Sequence, residues 1–139
     1  MLFVCVENAG RSQMAEAFAR QYGRGKIEAL SAGTMPSNEV NPLVIQVMRE
    51  KGIDISKNKP KLINTKMIQD ADKVIVMGCE AQGFCPAPLL NKVVDWGIED
   101  PKGKPIEKVR EIRNKIEEKV KALIKELVPN EKSTDNDHG

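Results

Sequence analysis

The chain has 139 residues, 40% of them hydrophobic and 30% charged, with 22 basic and 20 acidic side chains and a formal net charge of +2. That length suits one domain whose core needs no covalent staples. The near-balance of charge speaks against a nucleic-acid or anionic-membrane surface, and no stretch approaches the roughly 20 apolar residues that span a bilayer. The opening Met1-Leu2-Phe3-Val4-Cys5-Val6 runs straight into Glu7-Asn8 and lacks a charged leader, so it reads as a strand rather than a secretory signal. The expected compartment is the cytoplasm. An odd number of cysteines and a lone His138 in a polar tail fit neither a disulfide framework nor a zinc site. What remains for the thiols is nucleophilic or redox chemistry, or packing as small buried groups.

In chain order, Leu2–Val6 reads as a buried strand, Glu7–Gly10 as a turn and Arg11–Tyr22 as a helix with Met14, Ala15, Phe18, Ala19 and Tyr22 at helical spacing. Ile27–Ala32 is a second strand and 33–40 a loop. Asn41-Pro42 opens a helix, Asn as cap and Pro at the first turn, which Gly52 stops. A loop at 58–61 leads to a short helix over Leu62–Ala71. Val74–Met77 is an uninterrupted apolar run, as in a strand covered on both faces. A loop from Gly78 to Pro88 carries two cysteines, and Lys92–Trp96 is the fourth strand, with Trp96 assigned to the core. After a loop at 97–105, Ile106, Val109, Ile112, Ile116, Val120, Leu123, Ile124 and Leu127 mark a long amphipathic helix. Residues 130–139 read as a disordered polar tail.

This alternation predicts an α/β fold: one three-layer domain over residues 1–129, with a four-stranded parallel sheet flanked by helices. Ligands of such sheets lie beyond the carboxyl ends of the strands. Cys5 ends the first strand, Cys79 follows the third and Asp100 lies in the loop after the fourth, so three reactive groups are expected along one edge.

The segment Cys5-Val6-Glu7-Asn8-Ala9-Gly10-Arg11-Ser12 joins a strand to a helix. Such a loop can turn its N–H groups inward as an anion cradle at the helix N-terminus. Gly10 relieves crowding, Arg11 offers a forked charged donor to a tetrahedral oxyanion, and the same positive field favours the nucleophilic thiolate of Cys5. Ser12 is placed to donate to the sulfur, and Asn8 to hold the loop by bonding backbone groups. The plain alternative is a buried Cys and a surface Arg; the strand–loop–helix context favours the cradle. Asp100, stiffened by Pro101, is a candidate general acid, against the alternative of an ordinary Asp-Pro turn, and is preferred over its neighbour Glu99. Cys79 and Cys85, five residues apart around Gly83, can exchange disulfides with a nucleophilic Cys5, or can simply pack in a loop.

These residues resemble the thioredoxin-coupled arsenate reductases, which share the fold of the low-molecular-weight protein tyrosine phosphatases. The likeness runs from about Leu2 to Leu127 and includes Cys5–Ser12 with Gln13-Met14-Ala15-Glu16-Ala17, and Ser31-Ala32-Gly33. It continues through Val40-Asn41-Pro42, Gly52–Ser56, Cys79 and Cys85-Pro86, Trp96-Gly97 and Asp100-Pro101. The resemblance implies that Cys5 attacks arsenate held by the loop and Arg11, with Asp100 protonating the departing oxygen. Cys79 then attacks Cys5 and releases arsenite, and Cys85 passes the disulfide outward to thioredoxin or a similar dithiol protein. It implies no bound cofactor, no metal, and phosphate as a competitor. Two features depart from the pattern. The spacing of the cysteine pair differs by one residue. Some members bind a potassium ion at positions matching Asn8, Glu16 and Ser31, where the fourth position here is Lys61; the Lys61 ammonium is expected to supply that charge, unless it is merely a solvated surface cation.

Two rivals stand beside this reading. A phosphatase acting on phosphate monoesters would use the same loop, arginine and acid, but Lys102-Gly103-Lys104 after Asp100-Pro101 offers no aromatic platform for a phosphotyrosine ring. A non-catalytic anion or redox sensor would need no acid, which makes Asp100 the discriminating residue.

Overall fold

Leu2-Phe3-Val4-Cys5 has no polar face to offer solvent, and it occupies a central place in the sheet. The computed structural model describes residues 1–77 and 93–127. Its strands are β1 (Leu2–Cys5), β2 (Leu30–Gly33), β3 (Val74–Val76) and β4 (Val93–Asp95), and its helices α1 (Arg11–Gly23), α2 (Pro42–Arg49), α3 (Thr65–Asp70) and α4 (Ile106–Leu127). The sheet order is β2-β1-β3-β4, with every neighbouring pair parallel. Strand alternation sorts the core into two faces. Leu2, Val4, Val74 and Val76 pack with Ala32, Ala71, Met67 and Ile68 on one. Phe3, Cys5, Ile75 and Met77 pack on the other, under Met14 and Phe18 of α1, Val44, Val47 and Met48 of α2, and Val109, Ile112, Ile116 and Val120 of α4.

The expected three-layer α/β architecture is therefore present, and β1 is where strand order reverses. From β1 the chain crosses to β2 on one side, and later to β3 on the other. A crevice opens at such a switch point, beyond the carboxyl ends of the strands.

Several expected boundaries need correction: the third strand ends at Val76 rather than Met77 and the fourth at Asp95 rather than Trp96, and three further shifts have a visible cause. The first strand ends at Cys5 rather than Val6, because the Val6 carbonyl turns away to accept from the Met35 N–H. The second begins at Leu30, not Ile27, because β1 starts only at Leu2 and pairs in register Leu2 to Leu30; earlier residues find no partner strand, and the Ala29 carbonyl accepts from Arg20 instead. The third helix starts at Thr65, not Leu62. Leu62 makes a single parallel bridge to Gly33, and the Asn64 side chain caps the helix by accepting from the Met67 N–H at 2.8 Å. Lys92, the loop with Cys79 and Cys85, and the tail at 130–139 lie outside the described residues.

Candidate active site

The loop between β1 and α1 is built by outside support on its carbonyls. The oxygens of Cys5, Val6, Glu7 and Ala9 accept from the N–H groups of Thr34, Met35, Ser37 and Asn41, at 3.2, 2.8, 3.0 and 2.9 Å. In a trans peptide the C=O of one residue and the N–H of the next point in opposite directions. The N–H groups of Val6, Glu7, Asn8 and Gly10 therefore turn away from the segment at 34–41 that holds the carbonyls. The Asn8 N–H meets the Cys5 sulfur at 3.2 Å. Asn8 adopts a left-handed φ of 52°, a conformation Asn tolerates better than most residues. The loop also lies against β2: a Cβ on Gly33 would stand 2.5 Å from the Val6 oxygen and 2.9 Å from the Asn8 nitrogen, so only glycine fits there.

Cys5 is 5% exposed and Arg11 4%. The Cys5 sulfur and the Ser12 hydroxyl are 2.8 Å apart. The Arg11 guanidinium is aimed by two main-chain oxygens, Nη1 donating to Met77 at 2.6 Å and to Ile98 at 2.7 Å. Met77 follows β3 and Ile98 follows β4, so the arginine ties the ends of these two strands to the start of α1. Asp100 approaches from the same side, its Oδ2 3.8 Å from Arg11 Nη2 and its side chain 52% exposed. Its Oδ1 accepts from the Lys102 N–H at 3.0 Å, closing the turn that presents it. Glu99 is occupied elsewhere. Lys108 foremost, with Lys104, holds its carboxyl below the usual range, which leaves Asp100 as the acid facing Arg11.

These groups share a cavity of about 200 Å³, lined by Cys5, Arg11 and Asp100 among others. That is below the roughly 300–1,000 Å³ of pockets that bury larger organic ligands, and it suits a small anion. Of the loop residues expected to bind substrate, Glu7, Ala9 and Gly10 line it along with Cys5 and Arg11. Val6, Asn8 and Ser12 do not; Asn8 and Ser12 lie fully buried behind the sulfur. Gly10 earns its place sterically, since a Cβ there would be 3.1 Å from Pro101.

Sequence reasoning missed two features. Ser37 and residues 39–42 form a wall of the cavity, although the sequence pattern gives Asn41-Pro42 no part in binding. Lys102, read only as a missing aromatic, reaches across the mouth to Glu7 at 2.8 Å; this bond, then the charges of Glu7 and Asp100, raise its pKa. The positions compared with a potassium site do converge. Asn8 Oδ1 accepts from the Lys61 N–H at 2.8 Å, and the Ser31 hydroxyl donates to buried Glu16. Glu16 faces Arg20 at 2.8 Å and the Lys61 ammonium at 3.9 Å.

Residues 1–133 match the family model described as low molecular weight phosphotyrosine protein phosphatase. A putative arsenate reductase of Halobacterium salinarum is 40% identical, over 93% of each chain. Among solved structures, a thioredoxin-dependent arsenate reductase from Corynebacterium glutamicum superposes with a TM-score of 0.77 at 36% identity, covering 93% of this chain and 61% of that one. The YwlE arginine phosphatase of Geobacillus stearothermophilus superposes with a TM-score of 0.83 at 26% identity, covering 95% and 94%. The chain therefore belongs to the low molecular weight phosphotyrosine protein phosphatase family, within its arsenate reductase branch.

Proposed function

We propose that this protein reduces arsenate to arsenite with Cys5 as nucleophile, Cys79 and Cys85 as a thiol relay, and thioredoxin as the external reductant. The observation that carries the first half is the cavity in which a buried thiol, a buried guanidinium and a carboxyl group converge on a space sized for a small oxyanion. The relay rests on the two further cysteines of the sequence, and Met77, two residues before Cys79, already supplies an oxygen to Arg11. Thioredoxin as donor is supported by the thioredoxin-dependent relative.

In this mechanism the Cys5 thiolate forms a bond to arsenic and one arsenate oxygen leaves as water, protonated by Asp100. Cys79 attacks the Cys5 sulfur; the electron pair of the breaking S–As bond stays on arsenic, and arsenite departs. The Cys5–Cys79 disulfide is exchanged to Cys79–Cys85, and a dithiol partner reduces it. Two thiols are oxidised and arsenic gains two electrons, so the balance needs no bound cofactor. A reaction that depends on free thiols suits the cytoplasm, where we place it. Phosphate, of nearly the same shape, is expected to compete.

The decisive assay follows arsenate-dependent oxidation of reduced thioredoxin by the full chain, with a small phosphate ester in parallel. Arsenite formed in step with thioredoxin consumed supports reduction. Efficient ester cleavage with no reductant consumed makes the protein a phosphatase. Asp100→Asn should lower kcat for arsenate about a hundredfold, the low end for a general acid, since the side chain is half exposed. An unchanged kcat would remove Asp100 from the chemistry, whereas a wild type that binds arsenate without turning it over would favour the sensor reading.

We also propose that the Lys61 ammonium, with Arg20, supplies the positive charge that Glu16 faces. Turnover is then expected to be equal in sodium and potassium buffers of matched ionic strength, and strong activation by potassium would overturn this.

A further inference from the structure

Behind the nucleophile runs a chain of buried side chains whose proton direction can be worked out from its fixed ends. The Lys61 N–H can only donate, so the Asn8 side-chain atom 2.8 Å from it is the oxygen. The Asn8 main-chain carbonyl can only accept, so the Gln13 atom 3.1 Å from it is the amide nitrogen. That nitrogen also lies 3.1 Å from Asn8 Oδ1, which is consistent with both assignments. Gln13 Oε1 in turn accepts from Asn58 Nδ2 at 3.1 Å. With Asn8 so oriented, its Nδ2 donates to the Ser12 hydroxyl at 2.8 Å. A hydroxyl has one proton and two lone pairs. With one lone pair taken by Asn8, the arrangement that gives every proton an acceptor aims the Ser12 proton at Cys5, 2.8 Å away. The sulfur then receives two donors, Ser12 Oγ–H and the Asn8 N–H. That is the arrangement a thiolate needs and a thiol does not.

We propose that Gln13 is a positioning residue for this reaction: one amide group clamps both oxygens of Asn8, holding its left-handed backbone so that the Asn8 N–H and the Ser12 proton both point at Cys5. The inference rests on the reading of Cys5 as the nucleophile. Gln13 is fully buried on α1, does not line the cavity, and acts only through Asn8. Its geometry explains why a buried amide sits on a helix turn that could otherwise be apolar. One donor bridging the main-chain and side-chain oxygens of a single residue fixes that residue's torsions more tightly than either bond alone.

The test is the pH profile of Cys5 alkylation by iodoacetamide in the full-length protein, read at the Cys5 peptide by mass spectrometry so that Cys79 and Cys85 do not contribute. Gln13→Met keeps length and removes the donor without adding charge. It should move the alkylation midpoint upward and slow modification below the midpoint by roughly threefold to tenfold, the worth of one hydrogen bond. Combined with Ser12→Ala, it should add less than its separate effect, because part of the loss is shared. A profile matching the wild type, or full additivity, would overturn the proposal. Should Gln13→Met fail to fold, Asn58→Ala at the exposed end of the chain should shift the midpoint in the same direction by about twofold, and no shift there overturns it equally. The assay contains neither arsenate nor thioredoxin. A neutral result leaves the reductase reading standing, and a protein that proves to be a phosphatase leaves this one standing.

Discussion

Cys79→Ser is expected to release no arsenite, and Cys85→Ser at most one equivalent per chain, while both keep whatever phosphate-ester hydrolysis the wild type has. The reasoning is a count of electrons. Reduction needs two thiols, and Cys5 in the arsenic adduct supplies one. Without Cys79 nothing attacks Cys5, and the arsenic adduct persists. Without Cys85 the first disulfide forms and arsenite leaves, but the oxidised pair is not handed on. The anion loop, Arg11 and Asp100 are untouched in either variant, so ester hydrolysis serves as the internal check on folding. Quenched-flow counting of arsenite, with ester hydrolysis alongside, reads both. Sustained arsenate turnover in both serine variants would mean that the pair is incidental and that Cys5 is reduced directly by an external thiol.

Arg11→Lys should lower kcat/KM for arsenate by about a hundredfold to a thousandfold, the scale seen when one preorganised donor to a developing oxyanion is removed. The substitution keeps the charge, so the loss isolates geometry. Arg11 is buried, and its Nη1 is held by the carbonyls of Met77 and Ile98; the rest of the planar fork is thereby fixed in direction. A lysine ammonium has no fork, and from the same backbone position it cannot hold both carbonyls and present parallel donors to an anion. Stability should fall as well, by about 1–3 kcal/mol if a buried carbonyl is left without a donor, so a melting curve belongs beside the kinetics. A loss under tenfold, in a protein that melts like the wild type, would show that the loop N–H groups carry the anion and that Arg11 mainly joins the strand ends.

The phosphatase rival uses the same loop, and the arginine phosphatase superposes with a higher TM-score than the thioredoxin-dependent reductase, at lower sequence identity. What separates the readings lies in the thiols and in the shape of the mouth. Glu7 and Lys102 bridge the entrance, narrowing a cavity that is already small for an organic ester. Lys102 is exposed and Glu7 partly so, so the pair is worth little by itself and shapes access more than it stabilises the fold.

Much of this could be read from the chain alone. Cys5-x5-Arg11-Ser12 between an apolar run and a helical pattern names its own chemistry, because strand, loop and helix N-terminus are local structures with local signals. The alternation of strands and helices predicts the parallel sheet, and α4 follows from its spacing of apolar residues, with its start at Ile106 as expected. Where β2 begins could not be read, since Ile27-Glu28-Ala29 is as strand-like as Leu30-Ser31-Ala32. Only the starting point of β1 decides which residues find a partner. The start of α3 is missed too: Leu62 and Ile63 continue the apolar pattern, and the structure places the helix start behind the Asn64 cap. Other features had no local signal at all. Met77 and Ile98 hold Arg11 through main-chain oxygens, which every residue has. Lys102 meets Glu7 across 95 positions, and Gln13 meets Asn58 across 45. The sequence determined which reactive groups exist and which loop carries them. The tertiary structure alone decided what aims them, because hydrogen-bond partners distant along the chain become neighbours only once the sheet order brings the strand ends together.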